Sequence, residues 1–234
     1  MSAKNTRIAV LVITDGRDDY LQRTVRSAMA NLTGPVTEWW MYDDTGDLAY
    51  REGLGRRYPT FVHINGGARQ GFGGAIRDAW GHLADWSTVD YVFHLEADFV
   101  FNRPVDLGAL ASVLTDRTYL AQMALVRQSW NAEERAAGGL LERALHAYTP
   151  TQDGPHQWLE HTLFWTTNPS LYRSSMLHVG WPDGHQSEGI FTHHLLKYGT
   201  PEVSGDRVRF GYWGSIADGP WVEHIGMERA GHGY

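Results

Sequence analysis

The chain opens on an unbroken apolar run, "RIAVLVIT" from Arg7 to Thr14, which gives way abruptly to the polar "DGRDD". A strand wetted on one face alternates apolar and polar residues. An unbroken run instead predicts a strand buried on both faces, as in a parallel sheet covered by helices. Behind it, Tyr20, Leu21, Val25, Ala28, Met29 and Leu32 recur at helical spacing, from an acidic N-cap at Asp18 or Asp19 to a stop at Gly34-Pro35. The unit then repeats. "VTEWWMYDD" predicts a second strand ending in Asp43 and Asp44, "YREGLGRRY" a short helix, "TFVHIN" a third strand, Ala75 to Trp86 a helix, and "VDYVFHLEAD" a fourth strand. Strands alternating with helices in this way predict an α/β fold with a mostly parallel central sheet flanked by helices.

Open sheets of this kind bind ligands at the carboxyl ends of their strands. Here those ends carry "TDGRD", "DDTGD", "NGGARQGFGG" and "EAD", so four polar loops converge on one edge. The rest of the chain is less regular. "VDLGALASVLTD" predicts a helix, "TYLAQMALV" a strand, and "NAEERAAGGLLERALHAY" a polar, partly helical stretch with a glycine pair. "TLFWTTNPSLYRSSML" predicts a strand and a short helix, "SEGIFTHHLLKYG" a helix closed by glycine, and "RVRFGYW" and "PWVEHIG" two late strands. With no repeat, low-complexity tract or linker, a single domain over residues 1–234 is expected, ending in a smaller, irregular region.

Composition narrows the class. The 234 residues are 42% hydrophobic and 20% charged, as in ordinary globular proteins, and a formal net charge of -7 disfavours a broad electrostatic grip on nucleic acid. No apolar run approaches the roughly 20 residues that span a bilayer. The N-terminal "MSAKNTRIAVLVIT" lacks a small-residue cleavage site, and a cytoplasmic location without membrane partners is expected. The chain has no cysteine, so any metal must sit on oxygen or imidazole. Most of the ten tryptophans belong in a core, while Trp158, Trp165, Trp181 and Trp213 are candidates for exposed faces that stack on a sugar.

Two carboxylates, Glu96 and Asp98, close the apolar strand "YVFHLEAD". If that strand stays extended, both side chains project to one side, since side chains alternate with period two. Mn²⁺ or Mg²⁺ prefers oxygen ligands and keeps open positions for phosphate, which suits one or two acids at a rigid strand end. His193 and His194 are adjacent on a predicted helix and point to different faces, a poor chelate.

The order of these motifs resembles the nucleotide-sugar-binding half of family 2 glycosyltransferases of the GT-A fold, a Rossmann-like architecture. The motifs are an apolar strand ending in an acidic turn, a second strand ending "DD", the glycine-rich "NGGARQGFGGAIRDAW", and an apolar strand ending acid-x-Asp. The resemblance covers about Arg7 to Pro104, as a donor half, and is looser through the acceptor half to Lys197; the ending "VEHIGMERAGHGY" is similar to those of small glycosyltransferases of actinobacterial phages. It implies a metal-dependent transfer, with inversion, from a nucleoside-diphosphate sugar, a UDP-sugar by default. The acceptor is open between a protein side chain such as a virion protein's, a glycan and a modified DNA base. A phage-encoded enzyme would work in the host cytoplasm.

Carried over residue by residue, the resemblance gives Asp98 to the metal, and Glu96 to the ribose or to the metal through water; the family usually has Asp where Glu96 stands. It gives Asp43 or Asp44 to the nucleotide, with Asp43 favoured, and Thr14 and Asp15 to the base edge. The glycine-rich segment, including Gly73, would let backbone approach the diphosphate, with Arg69 supplying positive charge. Glu188 is the candidate base. Because Gly189 stands where the family's second acid would be, Asp183 is the other choice. His224 would complete the metal site, and His232 lies in the tail. A nucleotidyltransferase on a related fold and a non-catalytic nucleotide- or sugar-binding protein remain the alternatives.

Overall fold

The computed structural model describes residues 6–65 and 67–226, so His232 lies outside the described residues. The elements run β1 (Ile8–Thr14), α1 (Asp18–Asn31), β2 (Leu32–Thr33), β3 (Val36–Asp43), α2 (Leu48–Arg57), β4 (Val62–Asn65), α3 (Gly71–Trp86) and β5 (Tyr91–Glu96). They continue as β6 (Phe99–Phe101), β7 (Val105–Asp106), α4 (Leu107–Asp116), β8 (Leu120–Ala124), α5 (Ala132–Ala137), β9 (Thr149–Asp153) and β10 (His156–His161). The last are β11 (Ser170–Arg173), α6 (Ser187–Tyr198), β12 (Arg209–Trp213) and β13 (Val222–His224).

Nine strands form one sheet in the order β4-β3-β1-β5-β11-β8-β12-β10-β9. The first four are parallel, as the repeated strand–helix units require. The sheet as a whole is mixed, however: β11 runs antiparallel between β5 and β8, and β10 is antiparallel to both β12 and β9. For β9 and β10 the cause is local: they are a hairpin turning on Gly154-Pro155, and a short connection returns a strand antiparallel where a helical crossover would return it parallel.

Helices cover both faces, and β1 shows why its apolar run is unbroken. Ile8, Val10 and Val12 pack with Leu21 and Val25 of α1 and Leu110 and Leu114 of α4, while Ala9 and Leu11 pack with Ile76 and Trp80 of α3 and Phe191 of α6. On the second face Trp80 sits within 5.3–6.2 Å of the rings of Trp165, Tyr172, Trp181 and Phe191. Trp158, Trp165, Trp181 and Trp213, expected as exposed stacking platforms, are all buried, at 1%, 2%, 3% and 9% exposure. Large aromatic surface is worth more inside, at about 25 cal/mol per Å² of apolar area removed from water.

Several boundaries differ from those the sequence predicts. Asp18 and Asp19 lie in the first turn of α1 instead of capping it. Helix α3 starts at Gly71 rather than Ala75, so "GFGGA" is its first turn and not a loop. Strand β5 ends at Glu96, and Ala97-Asp98 form a turn into β6, so Glu96 and Asp98 do not lie on one extended strand. Among the described residues no helix is long and apolar enough to cross a membrane.

Candidate functional site

Registry across the sheet aligns the strand ends. Thr14 of β1 stands opposite Asp43 of β3, and Ile13 opposite Glu96 of β5. Beyond this edge opens a cavity of about 960 Å³, of the size that holds small-molecule ligands. Its walls come from the start of α3, the end of β5, the segment from Arg127 to Arg143, the loop before β11, and the start of α6. Of the candidate residues, the structure brings Gly73, Glu96, Asp183, Glu188 and His224 to this cavity.

Asp98 lies behind the wall, 3% exposed. Its Oδ2 accepts from Arg17 Nη2 at 2.9 Å and is 3.2 Å from His224 Nε2. Burial alone would raise the pKa of this carboxyl; His224 and Arg17 outweigh that and hold it below the ordinary range. His224 is brought here by β13, which pairs antiparallel with β6 and sets His224 opposite Phe99. Its ring lies between Phe99 (4.6 Å) and Trp130 (4.1 Å), which fixes its orientation.

Among the described residues no group of three or more acids and histidines is gathered tightly enough to hold a metal by protein ligands alone. Asp98 and His224 nevertheless suit a divalent cation that draws part of its shell from a ligand. They offer one carboxylate and one imidazole, and Asp98 Oδ1 is buried with no hydrogen-bond partner among the described residues.

Glu188 stands in the first turn of α6, its Oε1 accepting from the Thr167 N–H at 2.6 Å and from Thr167 Oγ1 at 2.9 Å. Just before it, Gln186 holds φ at +59°, a conformation rare outside glycine and often stored at binding sites. Asp183 is 86% exposed and ion-pairs with Arg77 at the cavity mouth. Gly73 lies where α3 meets the start of α6: a Cβ there would be in ordinary contact with Ser187, 3.4 Å from its Oγ.

The remaining candidates serve the loops around this edge. Asp44 Oδ1 and Oδ2 accept from the N–H groups of Gln70 and Gly71 at 2.7 and 2.9 Å, pinning the start of α3, where Gly71 takes φ +72°. Burial pushes the Asp44 carboxyl up, and these two N–H groups oppose it only in part. Asp43 is 2% exposed and binds the Thr45 N–H and Arg51. Thr14 Oγ1 is 3.4 Å from Tyr50 OH and accepts from the Gly16 N–H, Asp15 grips Arg17 Nε with both oxygens, and Arg69 is exposed on the loop before α3, away from the cavity wall.

Sequence reasoning misses Arg17, Gln128, Trp130 and Thr167. Arg17 had a signal, as the one cation inside the acidic turn "DGRDD". The others approach the site only through long-range pairing, which no local pattern encodes.

The fold and cavity together define an α/β protein with a helix-covered mixed sheet and a ligand cavity at its strand ends. No family model and no curated protein matches the chain. The solved structures that share the fold include S. aureus TarS 1-349, with a TM-score of 0.55 at 15% identity, and the same fragment in complex with UDP, with a TM-score of 0.57 at 14% identity. Each match covers 88% of this chain, which spans 60% of the TarS fragment.

Proposed function

We propose that the protein is a GT-A glycosyltransferase that moves a sugar from a nucleoside-diphosphate sugar, a UDP-sugar in the first instance, to a hydroxyl acceptor. The observation that carries this reading is one cavity faced by both a held carboxylate, Glu188, and the Glu96 and His224 side of a strand-end acid cluster. That this fold, in S. aureus TarS, has been crystallised with UDP supports the choice of donor.

In this reading Glu188 is the general base. Thr167 fixes one of its oxygens, and the carboxylate takes the proton of the acceptor hydroxyl as the oxygen attacks the anomeric carbon and the diphosphate leaves on the opposite face, which inverts the centre. Asp183 is less suited, because it is exposed and spent on Arg77. Asp98 and His224 would hold Mn²⁺ or Mg²⁺, with Glu96 beside them, and such a cation supplies charge for the departing diphosphate. Thr14 and Asp43, opposite each other at the ends of β1 and β3, are buried and would shape the nucleoside side of the site through the loops that they hold. The acceptor is a hydroxyl of a protein side chain, a glycan or a modified nucleobase.

The test is a thermal-shift titration with nucleoside diphosphates, with and without Mn²⁺, followed by a transfer assay with the responding donor. A ligand that binds only the folded state raises Tm. A Mn²⁺-dependent rise with UDP is expected; a folded protein indifferent to every nucleoside diphosphate would refute the proposal.

A further inference from the structure

Arg17 spends its guanidinium unevenly. Nε donates to both oxygens of Asp15 at 2.9 Å, Nη2 donates to Asp98 Oδ2 at 2.9 Å, and Nη1 is buried with no partner among the described residues. Asp98 is uneven in the complementary sense, because Oδ2 faces both Arg17 and His224 while Oδ1 faces neither. One resident cation therefore already covers the oxygen that His224 also touches. A second cation brought to that oxygen would meet Arg17 at close range in a poorly hydrated place, where like charges repel most strongly.

The chain also closes over the pair. The Ile225 N–H donates to the Asp98 carbonyl at 2.8 Å, and the next residue is Gly226. A Cβ on Gly226 would fall 2.2 Å from Asp98 Oδ2 and 2.8 Å from Arg17 Nη1, so only glycine lets the backbone pass.

Resting on the donor-site reading above, we infer that Arg17 is the resident counter-ion of Asp98 in the free protein and releases it only when a nucleoside diphosphate offers a better anionic partner. A guanidinium fork matches phosphate oxygens two at a time, and Arg17 has unspent Nη1 hydrogens for the exchange. Metal and nucleotide then bind as a coupled pair. Neither occupies the site well alone, because a metal shared by Asp98 and His224 needs the Oδ2 that Arg17 covers, and Arg17 needs another anion before it lets go.

The experiment reads free Mn²⁺ by electron paramagnetic resonance while the full chain is titrated, without and with saturating UDP. The wild-type protein is expected to bind Mn²⁺ about tenfold or more tightly with UDP than without, within the usual range of coupling between sites. Arg17→Met is expected to bind Mn²⁺ more tightly than wild type when UDP is absent, and to lose most of the UDP enhancement. Asp15→Asn, which loosens Arg17 without removing it, moves the same way by less and carries the test should Arg17→Met not fold. If wild type shows the enhancement but the variants keep its Mn²⁺ affinity and its dependence on UDP, the counter-ion role is wrong and the donor site stands. If wild type takes up Mn²⁺ in neither condition, the donor-site reading fails and this inference with it.

Discussion

The side-chain amide of Gln128 closes a ring on the main chain of His224: Oε1 accepts from the His224 N–H at 2.8 Å, and Nε2 donates to the His224 carbonyl at 2.9 Å. A side chain here does what a neighbouring strand would do, and it holds β13 where His224 meets Asp98. Gln128→Ala leaves both backbone groups without that partner, at a cost of about 1–3 kcal/mol for a buried group. The expected outcome by calorimetry is a larger loss of affinity for UDP with Mn²⁺ than for UDP alone. Equal losses would assign Gln128 to the fold and not to the site.

Glu188→Gln keeps the size of the side chain and removes its basicity. Turnover should fall by about 10²–10⁴, the usual contribution of a general base, while the dissociation constant of the donor stays near wild type. Thr167→Val removes the hydroxyl that grips Glu188 but leaves the backbone N–H, so a fall of about tenfold is expected, equivalent to one net hydrogen bond. Turnover of Glu188→Gln at the wild-type rate would move the base elsewhere.

Asp98→Asn should abolish the Mn²⁺-dependent part of nucleotide binding and lower Tm as well, since Arg17 then keeps only Asp15 as an ionic partner. About 1–3 kcal/mol of stability is at stake, the usual cost of breaking a hydrogen bond to a charged group. A thermal-shift series in UDP and Mn²⁺ separates the two effects: the baseline falls, and the Mn²⁺ increment disappears.

Stability should fall as pH drops from about 6.5 toward 4. Burial holds His94 and His161 neutral, each with its pKa lowered to about 4. Below the ordinary histidine range of about 6.5 the unfolded chain takes up protons that the native state refuses, which favours unfolding until the folded pKa is reached. His94→Gln removes one such group and should flatten the slope of Tm against pH across that window. A slope unchanged in His94→Gln would exclude it as a contributor.

The half of the fold that local periodicity governs was legible. The run of β1 and the helical spacing of α1 each predict an element that the structure contains, because burial on two faces or one leaves its period in the sequence. The antiparallel insertion of β11 was not, since a four-residue strand buried throughout carries neither period nor neighbour preference. The hairpin of β9 and β10 had an unused sign in Gly154-Pro155, the two residues between the paired Asp153 and His156. At the site, acids at strand ends could be read, but their partners could not: Arg17 and Asp98 lie 81 residues apart, and Gln128 and His224 lie 96 apart.

The nine-stranded ladder has a mechanical consequence. Because β11 bridges the parallel strands to the β8–β12 pair by hydrogen bonds on both sides, the two ends of the sheet share one continuous floor, and among the described residues no break in that floor offers a hinge on which they could clap shut. Whatever gates the cavity must therefore be drawn from its rim, where the Arg127–Glu134 ion pair staples α5 and the Arg77–Asp183 pair spans from α3 to the approach of α6. On the donor-site reading, substrate exchange would be a matter of unfastening staples, not of bending a frame.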